Sequence, residues 1–194
     1  MMNICVYAAS SNALAPTFYD AAERLGRLLA EGGHTLVFGG GAEGLMGACA
    51  RGARQAGGHR IGVAPRFFDE PGILLKQDID LVFTDTMAQR KAEMARLSDA
   101  FIALPGGIGT YEEFFETLTL KQLGRHRKPM ALLSTLDYYA PFEALLRHTA
   151  REGFMSEAVL SLFAVCRTPE EALAHVTAPV EPPDAAPSLA AYSR

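Results

Sequence analysis

The stretch Ala100-Phe101-Ile102-Ala103-Leu104-Pro105-Gly106-Gly107-Ile108-Gly109-Thr110-Tyr111-Glu112-Glu113 decides the fold. An apolar run meets a proline, then three glycines within four residues, then a segment that continues with helical character to Leu123. A strand that passes through glycines straight into a helix is the start of a βαβ crossover. The glycines let the backbone turn sharply and let its N–H groups face an approaching ligand. The helix N-terminus adds unpaired donors and the positive end of the helix dipole, so a phosphate is the natural occupant. Thr110 either caps the helix or bonds a phosphate oxygen. The alternative is a tight turn with a threonine cap and no ligand.

Outward from this stretch the same alternation recurs. Strands are expected at Ile4 to Ala8, Thr35 to Phe38, Arg60 to Ala64, Leu81 to Phe83, Ala100 to Leu104, Met130 to Leu133 and Leu162 to Cys166. Helices are expected from Pro16 to Gly32, Gly44 to Ala56, Met87 to Leu97, Gly109 to Leu123 and Pro141 to Glu152, with a last one opened by Pro169. Short, nearly continuous apolar strands alternating with amphipathic helices predict an α/β fold, a three-layer doubly wound Rossmann-like parallel sheet. In such sheets ligands bind beyond the carboxyl ends of the strands. Residues 1–178 are expected to form one nucleotide-binding domain and residues 179–194 a disordered tail, because that end holds prolines and alanines without periodicity. The connection from Arg66 to Asp80 is too long for a plain loop, which marks it as a functional candidate.

Composition narrows the function. The chain has 194 residues, 49% of them hydrophobic and 21% charged, with a net charge of −4. That balance fits a globular core and argues against a nucleic-acid partner held by bulk electrostatics. No long apolar run suggests a membrane span, and the N-terminus reads as a first strand rather than a leader. Cys5, Cys49 and Cys166 are isolated within apolar segments, so they read as small buried hydrophobes in a reducing, cytoplasmic setting. The five histidines, His34, His59, His126, His148 and His175, show no ligand spacing, so no metal site is expected.

A second glycine-rich turn, Gly39-Gly40-Gly41-Ala42-Glu43-Gly44, satisfies the Gly-x-Gly-x-x-Gly pattern. It follows the second strand rather than the first, and the next strand ends in Pro65-Arg66 with no acidic residue for a ribose. It reads as a second wall of one mononucleotide pocket, against the alternative of a helix–sheet packing turn. Glu112 and Glu113 sit in a first helical turn, where the dipole favours carboxylates. Consecutive helical residues point about 100° apart, so one of the two can face the cleft while the other faces solvent. Arg90-Lys91 lies on the preceding helix, where a cleft position is open beside the ordinary solvated one.

These residues resemble a known family. Pro105-Gly106-Gly107-Ile108-Gly109-Thr110-Tyr111-Glu112-Glu113 is similar to the PGGxGTxxE signature of the LOG family, the cytokinin riboside 5′-monophosphate phosphoribohydrolases often labelled lysine decarboxylases. Arg90-Lys91-Ala92-Glu93-Met94, Gly39-Gly40-Gly41 with Gly44-Leu45-Met46-Gly47, and Ala9-Ser10-Ser11 extend the resemblance over about residues 3 to 177. It implies hydrolysis of the N-glycosidic bond of a purine riboside 5′-monophosphate, without a cofactor, by a homodimer. It also implies Arg90 and Glu113 as the catalytic pair. The substrate-binding set it implies is Ser10, Gly40, Gly41, Lys91, Gly106, Gly107, Ile108, Gly109, Thr110, Tyr111, Glu112 and Thr119. Glu70 is the best candidate for a base-side acid in the 66–80 loop. Leu120 stands where relatives commonly carry Trp, and the first loop lacks a glycine at Ala9. The alternatives are a non-catalytic nucleotide binder and a lysine decarboxylase. The latter needs a Schiff-base lysine, and only Lys76, Lys91, Lys121 and Lys128 are available. The helix Tyr111 to Leu123 is apolar on more than one face (Phe114, Phe115, Leu118, Leu120 and Leu123), which predicts a partner surface.

Overall fold

The apolar runs pair side by side in one all-parallel sheet in the computed structural model, which describes residues 1–179. In chain order the elements are β1 (Asn3–Tyr7), α1 (Pro16–Glu31), β2 (Thr35–Phe38), α2 (Gly44–Gln55), β3 (Arg60–Pro65), β4 (Asp80–Thr84), α3 (Met87–Leu97), β5 (Ala100–Ala103), α4 (Ile108–Gln122), β6 (Met130–Leu133), α5 (Ala140–Arg151), β7 (Ala164–Cys166) and α6 (Pro169–Thr177). The strand order is β4-β3-β2-β1-β5-β6-β7. The chain winds outward from β1 to β4, then returns to place β5 on the other side of β1 in the register Ile4↔Ala100 to Tyr7↔Ala103. That reversal makes the β1/β5 crevice the topological switch point, where doubly wound sheets bind ligands.

Side chains alternate across the sheet with period two. Ile4 and Val6 join one core with Leu25 and Leu29 of α1, Leu45 of α2 and Val176 of α6. Cys5 and Tyr7 join the other with Met94 of α3, Phe114 of α4 and Phe142 of α5. The fold is therefore three-layered. The expected helix stops hold, with Gly33, Gly57 and Gly124 at φ of 71°, 71° and 69°, a conformation that only glycine adopts without strain. Thr86 and Gln89 close a capping box at the start of α3.

Two expectations shift. The N-cap of α4 is Gly107, with Thr110 a full turn inside, so Thr110 does not cap the helix. The strand expected from Leu162 begins only at Ala164, because a 3-10 turn, Glu157–Ser161, lies just before it. The expected tail falls, from residue 180 onward, outside the described residues. No helix among the described residues is long and apolar enough to cross a membrane. The three cysteines are buried free thiols.

Candidate active site

A cleft of about 630 Å³ opens across the carboxyl ends of β2, β1 and β5. Its floor holds one buried ion pair. Arg90 reaches from α3 and donates from Nη1 to Glu113 Oε1 at 2.9 Å, and from Nε to the Val63 carbonyl at 3.1 Å. Arg90 is 6% exposed and Glu113 8%. Burial raises the Glu113 carboxyl above its ordinary value, with the Arg90 charge pulling the other way. Gly39 is part of this device: a Cβ there would lie 2.0 Å from Arg90 Nη2. The helical offset of Glu112 and Glu113 resolves as the sequence allows, since Glu113 turns inward while exposed Glu112 pairs with Lys91 on the outside.

At the β5 end, Gly107, Ile108, Gly109 and Thr110 line the cleft. Among the described residues no protein acceptor takes a hydrogen bond from the N–H groups of Ile108, Gly109 or Thr110. A Cβ at Gly107 or Gly109 would meet nothing within 4 Å, so the backbone there lies open to a ligand. The turn is held from behind by two tyrosines. Tyr139 Oη donates to the Leu104 carbonyl at 2.6 Å and Tyr138 Oη to the Gly106 carbonyl at 2.7 Å. The carbonyls are thus engaged on the protein side while the N–H groups face the cleft, the geometry of an anion site at a helix N-terminus.

At the β2 end the backbone is occupied differently. Gly44 N–H donates to Asn12 Oδ1 at 2.9 Å, and Leu45 N–H to the Ala9 carbonyl at 2.9 Å. Ala42 N–H donates to the Ile73 carbonyl at 3.0 Å, and Leu75 N–H to the Gly40 carbonyl at 2.8 Å. These bonds stitch the long 66–80 loop to the glycine turn and set Phe68, Ile73 and Leu74 along the cleft with Met46 and Met87. This end is largely apolar, with Glu43 set among these side chains.

Of the residues expected from the sequence, the structure brings Ser10, Gly41, Arg90, Gly107, Ile108, Gly109, Thr110 and Glu113 to the cleft. It does not bring the others. Gly40 and Gly106 lie one residue behind the lining, and Tyr111 turns its hydroxyl to Tyr138 at 3.2 Å. Lys91 and Glu112 are occupied with each other on the outer face. Glu70 is exposed and off the cleft, because its carbonyl accepts from Ile73 N–H in a turn that presents Ile73 and Leu74 instead. Thr119 lies in a separate groove between α4 and α5, with Phe115, Leu145 and Phe154. The sequence reading missed Glu43, an exposed residue that lines the cleft and whose carboxylate accepts from Asn12 Nδ2 at 2.7 Å. Its signal was its place inside the glycine-rich turn, between Gly41 and Gly44.

Comparison with known proteins shows which chains this one resembles. Residues 46–176 match the family model described as possible lysine decarboxylase. Over 178 residues the chain is 41% identical to a cytokinin riboside 5′-monophosphate phosphoribohydrolase of Rhodococcoides fascians, covering 91% of this chain and 90% of that one. Over 154 residues it is 43% identical to cytokinin riboside 5′-monophosphate phosphoribohydrolase LOG of Oryza sativa subsp. japonica, covering 79% of this chain and 64% of that one. Among solved structures it is similar to the Moco carrier protein of Chlamydomonas reinhardtii, with a TM-score of 0.65 and 27% identity over 89% of this chain and 93% of that one.

Proposed function

The chain belongs to the LOG family, and on that premise we propose that it is an enzyme hydrolysing the N-glycosidic bond of a cytokinin-type riboside 5′-monophosphate, or of AMP, to free base and ribose 5-phosphate. The observation that carries this reading is the buried Arg90–Glu113 pair beside an open helix N-terminus. The 5′-phosphate accepts from the N–H groups of Ile108, Gly109 and Thr110, each such charge-assisted bond contributing about 1.5–3 kcal/mol. The ribose then lies over Glu113. Bond cleavage leaves oxocarbenium character at C1′, which the ionised Glu113 carboxylate stabilises. The same carboxylate takes a proton from the attacking water, whose oxygen ends on C1′, and releases it to solvent, while the departing base nitrogen takes a proton from solvent. Arg90 is permanently charged, so it orients and stabilises the carboxylate rather than donating a proton.

A lysine decarboxylase reading fares poorly against the side chains. Lys76 pairs with Asp69, Lys91 with Glu112 and Glu116, and Lys121 and Lys128 donate to the carbonyls of Leu162 and Ala95. None of the four lines the cleft. A binder or carrier is the second reading, favoured by the likeness to the Moco carrier protein. A pure binder has little use for a buried carboxylate beside an anionic ligand. Incubation of purified protein with AMP and with isopentenyl-type AMP, followed by chromatography, separates the two. Free base and ribose 5-phosphate are expected, whereas binding of both nucleotides without release supports the carrier.

The same reading includes a homodimer in the cytoplasm. Exposed Phe115, Leu145 and Phe154 flank the α4/α5 groove, which a second copy would cover, and the buried free thiols fit a reducing compartment. Light scattering at micromolar concentration is expected to give twice the chain mass, and a monomer mass would remove the dimer.

A further inference from the structure

The cleft holds two carboxylates, Glu113 and Glu43, and the reaction outlined above uses only the first. Glu43 is the N-cap residue of α2, yet its side chain does not cap the helix. Asn12, from the loop after β1, holds it instead. The Asn12 amide donates from Nδ2 to Glu43 Oε2 at 2.7 Å and accepts at Oδ1 from Gly44 N–H at 2.9 Å. One amide thus fixes both the carboxylate and the backbone that carries it. Among the described residues no Lys, Arg or His side chain forms an ion pair with Glu43. Its other oxygen remains an acceptor for a ligand.

Position says which part of a ligand meets it. The phosphate donors stand at the end of β5 and Glu43 at the end of β2, two strands apart, or roughly 10 Å at ordinary strand spacing. Glu113 lies between them, since α4 packs on β1, where Tyr7 Oη bonds Thr117 one turn beyond Glu113, and Glu113 holds Arg90, whose guanidinium abuts Gly39 at the end of β2. A nucleotide with phosphate at Ile108–Thr110 and ribose at Glu113 therefore carries its base toward Glu43, Met46 and Ile73. An ionised carboxylate only accepts hydrogen bonds. It favours an exocyclic N–H and repels both a carbonyl oxygen at that position and a phosphate placed at the wrong end.

We propose that Glu43, held by Asn12, is the base-reading residue of this cleft, accepting a hydrogen bond from the exocyclic N–H of a 6-aminopurine and selecting against 6-oxopurines. An N6-substituted adenine keeps one such N–H, so the contact survives a side chain on that nitrogen. The proposal rests on the nucleotide reading of the cleft and assigns a residue that neither Glu70 nor the rest of the 66–80 loop supplies.

The test measures affinity for AMP, IMP and ribose 5-phosphate in the wild type, Glu43→Gln and Glu43→Ala. KM or an inhibition constant serves where the nucleotide is cleaved, and Kd by calorimetry where it is not. The wild type is expected to prefer AMP to IMP by about tenfold, and both variants to lose about tenfold for AMP, in the range of one solvent-accessible hydrogen bond to a charged group. Ribose 5-phosphate affinity and kcat for AMP should change less than about threefold, because neither phosphate nor ribose meets Glu43. Glu43→Gln retains an oxygen for Asn12 to donate to, which guards against a collapsed loop. Equal wild-type affinity for AMP and IMP would overturn the proposal. So would unchanged AMP affinity in Glu43→Gln, or a parallel loss of ribose 5-phosphate affinity. A wild type that binds AMP without cleaving it would defeat the hydrolase reading, yet the AMP–IMP difference would still decide the role of Glu43.

Discussion

The two glycine-rich turns look alike in sequence and are used in opposite ways. The turn after β5 keeps the N–H groups of Ile108, Gly109 and Thr110 free of protein acceptors and ties back its carbonyls through Tyr138 and Tyr139. The turn after β2 commits the N–H groups of Ala42, Gly44 and Leu45 to Ile73, Asn12 and Ala9, and carries a glutamate at the helix start. Ala9 joins them: its N–H donates to the Pro105 carbonyl and its carbonyl accepts from Leu45. Glycine density alone therefore does not mark a phosphate site. What marks it is where the donors go once the chain has folded.

The largest effect is expected where the two turns meet. Arg90 lies against Gly39 of one and grips Glu113 on the helix that follows the other. Arg90→Ala should cut kcat by about 100-fold or more, measured on protein whose fold is verified by circular dichroism. It should also move the acid limb of the pH–rate profile upward. Burial already raises the Glu113 carboxyl and Arg90 opposes that rise, so losing the cation raises it further. Because the ionised form does the work, activity falls as pH drops through that raised value. An acid limb that stays in place in Arg90→Ala would break the coupling.

Gly44→Ala comes next and should act on stability while sparing the phosphate site. Gly44 has φ +60°, and a Cβ there would sit 2.5 Å from the Ala9 carbonyl oxygen. A loss of about 2 kcal/mol in chemical denaturation is expected, with the affinity of the folded fraction for ribose 5-phosphate unchanged. Gly109→Ala should do the reverse. A Cβ there meets nothing within 4 Å of the protein, so the melting temperature should hold, while a methyl beside the phosphate donors raises KM about tenfold. If the two variants exchanged phenotypes, the assignment of phosphate to the β5 turn would be reversed.

Much of the fold was legible because each strand is short, apolar and followed by a strong stop. The β5 turn was legible for the same reason: Pro105 and three glycines admit few conformations. Less of the site could be read. Glu70 and Glu43 are both acidic residues near a turn, and only the bonds from Ala42 to Ile73 and from Leu75 to Gly40 decide which of them reaches the cleft. Those bonds join segments about thirty residues apart, beyond any local pattern. The tyrosine brace was hidden too, since it follows a turn in which Leu136 takes a φ of 55°, a conformation that a leucine does not announce. Thr119 came from resemblance alone, and within one chain it lies in the α4/α5 groove.

The most direct measurement pairs binding with turnover in Glu113→Gln. The variant should bind isopentenyl-type AMP within about threefold of the wild type, because the phosphate donors are untouched, yet release free base about 100-fold more slowly or worse. Release at the wild-type rate by the folded variant, or no release by the wild type itself, would contradict this expectation.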